Sequence, residues 1–182
     1  MSTKIYFAKT KPDAIIPSKR DEDAGYDIYA CFDEPYMIIK PHETKLIPTG
    51  IASVCDKEYC FILKERGSTG TKGLAQRCGV IDSGYRNEWF VPITNENPYP
   101  VVIHKSDCNP YDIPEVEELV SNTPVYLLRP LNDIIKTYPY EKAIAQAMVV
   151  PVPQTEVVEI TLDELNEFES ERGEGALGSS GK

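Results

Sequence analysis

Apolar and aromatic residues come in short runs along most of the chain, and Pro, Gly, Asn and Asp punctuate the gaps between them. Runs of this kind at 4–8, 26–30, 36–39, 44–47, 51–53, 59–63, 79–81, 88–94, 101–104, 143–150 and 155–160 read as β-strands. Many short strands at regular spacing predict an all-β barrel or sandwich rather than an alternating α/β fold. The 15 prolines fall mostly between the runs, where a residue without an N–H group ends a ladder. Two segments depart from the pattern. Thr161-Leu162-Asp163-Glu164 starts a helix, with Thr161 as cap and Glu164 reaching back. The stretch 106–140 is richer in Pro, Glu and Asn, and predicts a short helix at 113–120 and a strand at 125–128. It reads as an insertion with structure of its own. The whole, 1–182, is expected to be one domain with an insertion at about 106–140 and a flexible C-terminal arm at about 168–182.

Composition narrows the function. No apolar run reaches membrane-spanning length, and residues 1–6 lack the apolar stretch of a secretory signal, so a cytoplasmic protein with no membrane partner is expected. Five cysteines (31, 55, 60, 78, 108) are odd in number, lack a Cys-x-x-Cys pair and accompany only two histidines. Free thiols fit this better than disulfides or a structural zinc. The net charge of −10 opposes a nucleic-acid partner, which needs a basic surface. A small anionic ligand stays open, because Arg66, Lys72, Arg77, Arg86, Arg172 and Lys182 gather near glycine-rich stretches. For a polyphosphate, a divalent cation would offset part of the repulsion.

Five segments carry candidate chemistry. The tail Arg172-Gly173-Glu174-Gly175-Ala176-Leu177-Gly178-Ser179-Ser180-Gly181-Lys182 offers closely approachable amides, hydroxyls and bracketing cations. It suits either an anion clamp or a plain Gly/Ser tail. Residues 65–73, Glu-Arg-Gly-Ser-Thr-Gly-Thr-Lys-Gly, form a loop with one Arg suited to forked phosphate contact, though not in the Walker spacing. Residues 78–89 read as a β-hairpin with Asp82-Ser83-Gly84 at its bend. There, backbone can meet the edge of a flat base, Tyr85 can pack on a sugar, and Asp82 is either a general base or the closer of an Asx-turn. Asp27, in Asp23-Ala24-Gly25-Tyr26-Asp27, is either structural or a partner of metal-bound water. Gln146, inside an apolar strand, bonds either to backbone or to a ligand oxygen.

Taken together, DAGYDIYA (23–30), ERGSTG (65–70), GVIDSGYRNE (79–88), AIAQ (143–146) and RGEGALGSSG (172–181) resemble, in order, the five motifs of the trimeric all-β dUTPase family. The resemblance implies a distorted jelly-roll β-barrel in a homotrimer with exchanged C-terminal arms. It implies a dUTP diphosphatase making dUMP and pyrophosphate by water attack on the α-phosphorus, which keeps uracil out of DNA and supplies dUMP for dTMP synthesis. Asp82 matches the catalytic aspartate, which also holds the 3′-hydroxyl. Gly79, Val80 and Ile81 match the backbone that accepts uracil, and Tyr85 the ring under the deoxyribose. Arg66, Gly67, Ser68 and Gln146 match phosphate contacts, and Arg172, Leu177, Gly178 and Ser179 the closing arm. Mg²⁺ would be held mainly by the substrate phosphates, with Asp27 acting through water.

The chain departs from the family pattern at several positions. Leu177 stands where a Phe usually covers uracil, Gly67 separates Arg66 from Ser68, Ala143 replaces an Arg, and Asn87 a Gly. The 106–140 insert resembles those of some bacteriophage and prophage dUTPases. It implies a possible protein partner, and Tyr111, Tyr126, Tyr138 and Tyr140 would suit an interface if exposed. Two alternatives to an active dUTPase are a protein-binding regulator acting through that insert and a dCTP deaminase of the same fold.

Overall fold

The computed structural model describes residues 4–121 and 135–170. In chain order the first strands are β1 (Ile5–Lys9), β2 (Tyr26–Ile28), β3 (Tyr36–Ile39), β4 (Thr44–Pro48), β5 (Ile51–Cys55) and β6 (Tyr59–Lys64). A one-turn helix, α1 (Gly67–Gly70), leads to β7 (Leu74–Gln76), β8 (Val80–Ile81), β9 (Phe90–Asn95) and β10 (Val101–His104). After helix α2 (Pro114–Ser121) come β11 (Lys136–Pro139) and β12 (Ala145–Pro151).

Small sheets share these strands. The largest has the order β2-β12-β6-β8, beside β4-β9-β7, β11-β10-β3 and the ribbon β1-β5. Most pairings are antiparallel, and β10–β11 is parallel. Period-two alternation is clearest in β5, where Ile51, Ser53 and Cys55 are buried and Val54 is exposed. The core is anchored by Phe7, Phe61 and Trp89, whose ring centroids lie 4.9–5.5 Å apart in tilted and edge-on contacts. A second, smaller core joins Ile113, Val116 and Val120 to Val102 and Ile135 on the outer side of the β10 sheet. α2 is therefore held by its own apolar stripe.

Several expectations change. Residues 78–89 do not form a hairpin: β8 pairs with β6, whereas β9 pairs with β4 and β7, so the two runs part after the bend. Residues 155–160 form no strand. β7 and β11 were not foreseen, and the expected strand at 125–128 lies outside the described residues. Residues 67–70 make a helical turn rather than an open loop, closed by the Thr69 amide donating to the Arg66 carbonyl at 3.1 Å. Tyr138 is fully buried and Tyr140 half-buried, so neither is an exposed interface tyrosine; Tyr111 is exposed, and Tyr126 lies outside the described residues.

The chain divides into the unit Met1–Val152, which holds all of these strands, and the unit Pro153–Lys182. In the second unit, helix α3 (Leu162–Asn166) has the expected capping box: the Thr161 hydroxyl accepts from the Glu164 amide, and the Glu164 carboxylate accepts from the Thr161 amide at 2.7 Å. Among the described residues no helix is long and apolar enough to cross a membrane.

Candidate active site

Three strands bring the first group of candidates together. The register sets Gln146 of β12 opposite Asp27 on one side and Lys64 on the other, and Arg66 lies just beyond the end of β6. Arg66 forks onto Asp27, with Nε 3.0 Å from Oδ1 and Nη2 3.3 Å from Oδ2. Its third nitrogen is 3.5 Å from the Ala143 carbonyl oxygen. Gln146 donates Nε2 to the Glu65 carbonyl at 2.7 Å. Gly25 lies against the other end of that amide, and a Cβ there would stand 2.6 Å from Gln146 Oε1. A polar cleft of about 620 Å³ opens over these residues, rimmed by Ser18, Lys19 and Arg20. Arg20 is held by a forked pair with Asp23, whose carboxyl is lowered mainly by that hydrogen bond. Gly67 and Ser68 are exposed beyond Arg66, and the Ser68 hydroxyl is 3.3 Å from that of Tyr138.

The second group lines a different cleft. Val80, Ile81, Asp82, Tyr85 and Phe90 surround about 170 Å³. The turn is closed by the Tyr85 amide donating to the backbone carbonyl of Asp82 at 3.0 Å. The Asp82 carboxylate is thus not an Asx-turn closer, and it accepts no hydrogen bond among the described residues. Tyr85 is fixed by its hydroxyl donating to the Glu88 carbonyl at 3.0 Å. Gly79 lets the chain pass close to β6: its carbonyl accepts from the Leu63 amide at 2.7 Å, and a Cβ would stand 2.8 Å from the Leu63 oxygen.

The two clefts sit at opposite ends of one strand. In the β6–β8 register, Ile81 faces Phe61 and Val80 faces Ile62, which leaves Asp82 level with Cys60. Burial raises the Cys60 thiol, and the nearby Asp82 charge adds to the effect, in keeping with that placement. Arg66 lies six residues further along, about 20 Å away at ~3.3 Å per strand residue.

Arg77 and Arg86 are spent elsewhere: Arg77 pairs with Glu96 and donates to Thr94, and Arg86 donates to the backbone carbonyls of Ser83 and Ser53. Arg172, Leu177, Gly178 and Ser179 lie outside the described residues. The sequence reading missed the Ser18–Arg20 rim, signalled only by two cations before Asp23, and Phe90, signalled only by an aromatic following a buried Trp. Among the described residues no group of three or more His, Cys, Asp or Glu could hold a metal. Both Asp27 oxygens are engaged by Arg66, so the cleft offers no cluster of free carboxylates to cage an ion.

An all-β fold with one polar cleft of balanced charge, in which Arg20 and Arg66 are paired with Asp23 and Asp27, and one small, mostly apolar cleft beside the Asp82 carboxylate suits a protein that binds a small ligand with both polar and flat apolar parts. The dUTPase family model matches residues 11–109. Deoxyuridine 5′-triphosphate nucleotidohydrolase of Psychrobacter sp. (strain PRwf-1) is 34% identical over 191 aligned positions, covering 100% of this chain and 97% of that protein. The enzyme of the same name from Leptospira interrogans is 34% identical over 96 residues, 50% of this chain and 66% of that protein. A Staphylococcus bacteriophage 80alpha dUTPase, a point mutant with dUpNHpp, superposes with a TM-score of 0.69 over 98% of this chain and 99% of that one, at 24% identity, which shows a shared fold. The chain belongs to the dUTPase family, the dUTP nucleotidohydrolases. This membership decides against the deaminase alternative.

Proposed function

We propose that this chain hydrolyses dUTP to dUMP and pyrophosphate in the cytoplasm, at sites shared between copies in a homotrimer. Asp82 takes a proton from a water whose oxygen attacks the α-phosphorus. The bond from that phosphorus to the bridging oxygen breaks, and pyrophosphate leaves. Asp82 also holds the 3′-hydroxyl. The backbone of Gly79, Val80 and Ile81 takes the pairing edge of uracil, and Tyr85 packs under the deoxyribose, leaving no room for a 2′-hydroxyl. Arg66, Gly67, Ser68 and Gln146 receive the phosphates, with Asp27 aligning Arg66 and reaching the metal through water. Arg172, Leu177, Gly178 and Ser179 belong to the arm that closes over the nucleotide. Mg²⁺ bound to the triphosphate neutralises its charge and that of the leaving pyrophosphate. Positioning and fixed charges carry the rest of the barrier, as is usual in phosphoryl chemistry.

The observation that carries this reading is the separation along β6. A carboxylate about 20 Å from the phosphate-type cleft cannot act on a phosphorus held there by the same chain. A head-to-tail contact that closes after three copies brings the Asp82 end of one barrel to the Arg66 end of the next. The test is pyrophosphate release from dUTP with Mg²⁺. Asp82→Asn keeps the shape of the side chain and removes the base, so kcat should fall by about 10²–10⁴-fold with assembly unchanged. Turnover equal to wild type would remove Asp82 from the mechanism.

A further inference from the structure

β9 begins with an aromatic turned outward. Alternation buries Trp89, Val91 and Ile93 and leaves Phe90 on the face that meets the small cleft. Phe90 is 41% exposed, and its ring makes no ring–ring contact among the described residues, unlike neighbouring Trp89, which packs on Phe7 and Phe61. It lines the small cleft together with Val80, Ile81, Asp82 and Tyr85.

The cleft has the chemistry of a base site. At about 170 Å³ it is smaller than the ~300–1,000 Å³ pockets that take whole drug-sized ligands, so it suits one ring of a nucleotide and not its phosphates. Tyr85 is tethered through its hydroxyl to the Glu88 carbonyl, whereas the Phe90 ring has no polar tether and keeps an open face. Aromatic faces hold nucleobases by stacking, whatever the base's hydrogen-bonding edge does.

We propose that Phe90 is a stacking wall for the pyrimidine of the substrate, a specificity contact supplied by the barrel itself. The inference rests on the dUTPase reading and adds to it a residue that touches the base. Backbone at 79–81 would meet the edge of the ring, Tyr85 the sugar, and Phe90 one face of the base. Phe90 takes no part in proton transfer, so its effect belongs in binding.

The test compares wild type, Phe90→Leu and Phe90→Tyr by steady-state dUTP hydrolysis, by calorimetric binding of a non-hydrolysable imido analogue of dUTP, and by light-scattering mass. Phe90→Leu keeps apolar bulk but loses the ring, and should raise both KM and the analogue's Kd by about tenfold or more, with kcat within a few-fold and mass unchanged. Phe90→Tyr should restore both constants. A normal KM and Kd in Phe90→Leu would overturn the proposal while leaving the dUTPase reading intact. Loss of assembled mass in Phe90→Leu would also overturn it, by making Phe90 an interface residue. If wild type itself neither turns over dUTP nor binds the analogue, the dUTPase reading falls, and this inference with it.

Discussion

Gly79 shows how a residue type can be dictated by backbone, both its own and that of a neighbouring strand. Its φ is 157°, and an added Cβ would sit 2.8 Å from a backbone oxygen of β6, which cannot swing aside as a side-chain end can. Gly79→Ala should therefore cost about 1–3 kcal/mol in denaturant unfolding and, on the proposed role of this backbone in holding uracil, reduce dUTP turnover. Gly84→Ala, where an added Cβ meets nothing within 4 Å, should stay within about 0.5 kcal/mol of wild type. Equal stability of the two variants would contradict this account of Gly79. At this scale the sequence singled out Asp82, Tyr85, Arg66 and Gln146 as candidates, because they stand in compact motifs. It was silent about their partners. The fork between Arg66 and Asp27, and the seating of Gln146 between Glu65 and Gly25, join residues far apart in the chain, and only strand register brings them together. Phe90 escaped notice because an aromatic in a strand reads as core until the face it points to is known.

Elements were legible where a local signal suffices. The Thr161–Glu164 capping box is such a signal, and it carries a pH dependence. The Glu164 carboxyl is lowered, first by the hydrogen bond from the Thr161 amide and then by the Thr161 hydroxyl. A carboxyl lowered on folding stabilises its ionised form: the cap is complete above the ordinary carboxylate range and is lost as pH falls through the lowered value. NMR titration should find Glu164 titrating below the exposed glutamates, with helical shifts at 162–166 fading over the same pH range; Thr161→Ala, which keeps the amide but removes the hydroxyl, should move Glu164 part of the way back towards the ordinary range. A Glu164 that titrates with the others would remove the cap. Elements defined by partnership were not legible. β7 and β11 are too short to show an alternation of their own, and exist because β9 and β10 offer edges to them. Residues 155–160 have the β-branched pattern of a strand yet pair with nothing described, since propensity only states fitness for a pleat. The stretch 106–140 also divides differently from its composition. Its first part carries α2 and the small core, whereas β11 is a barrel strand and Tyr138 belongs to the main core, so we propose that an insert, if removable, ends before β11.

At the scale of the molecule, the barrel class followed from strand number and spacing, and the likeness to solved dUTPases supports it. The division of labour we propose between the two ends of β6 could not be read from motif order, because sequence gives no distance between motifs. That division is the central claim: the Asp82 cleft and the Arg66 cleft of one chain serve different substrate molecules, and a working site needs two copies. Complementation tests this most directly. Asp82→Asn and Arg66→Ala should each be nearly inactive in dUTP hydrolysis. Unfolded together in equal amounts and refolded as mixed assemblies, they should recover up to about a quarter of wild-type turnover, because some interfaces then pair an intact Asp82 with an intact Arg66. A mixture no more active than the two variants refolded apart would place the whole site within one chain and contradict the account.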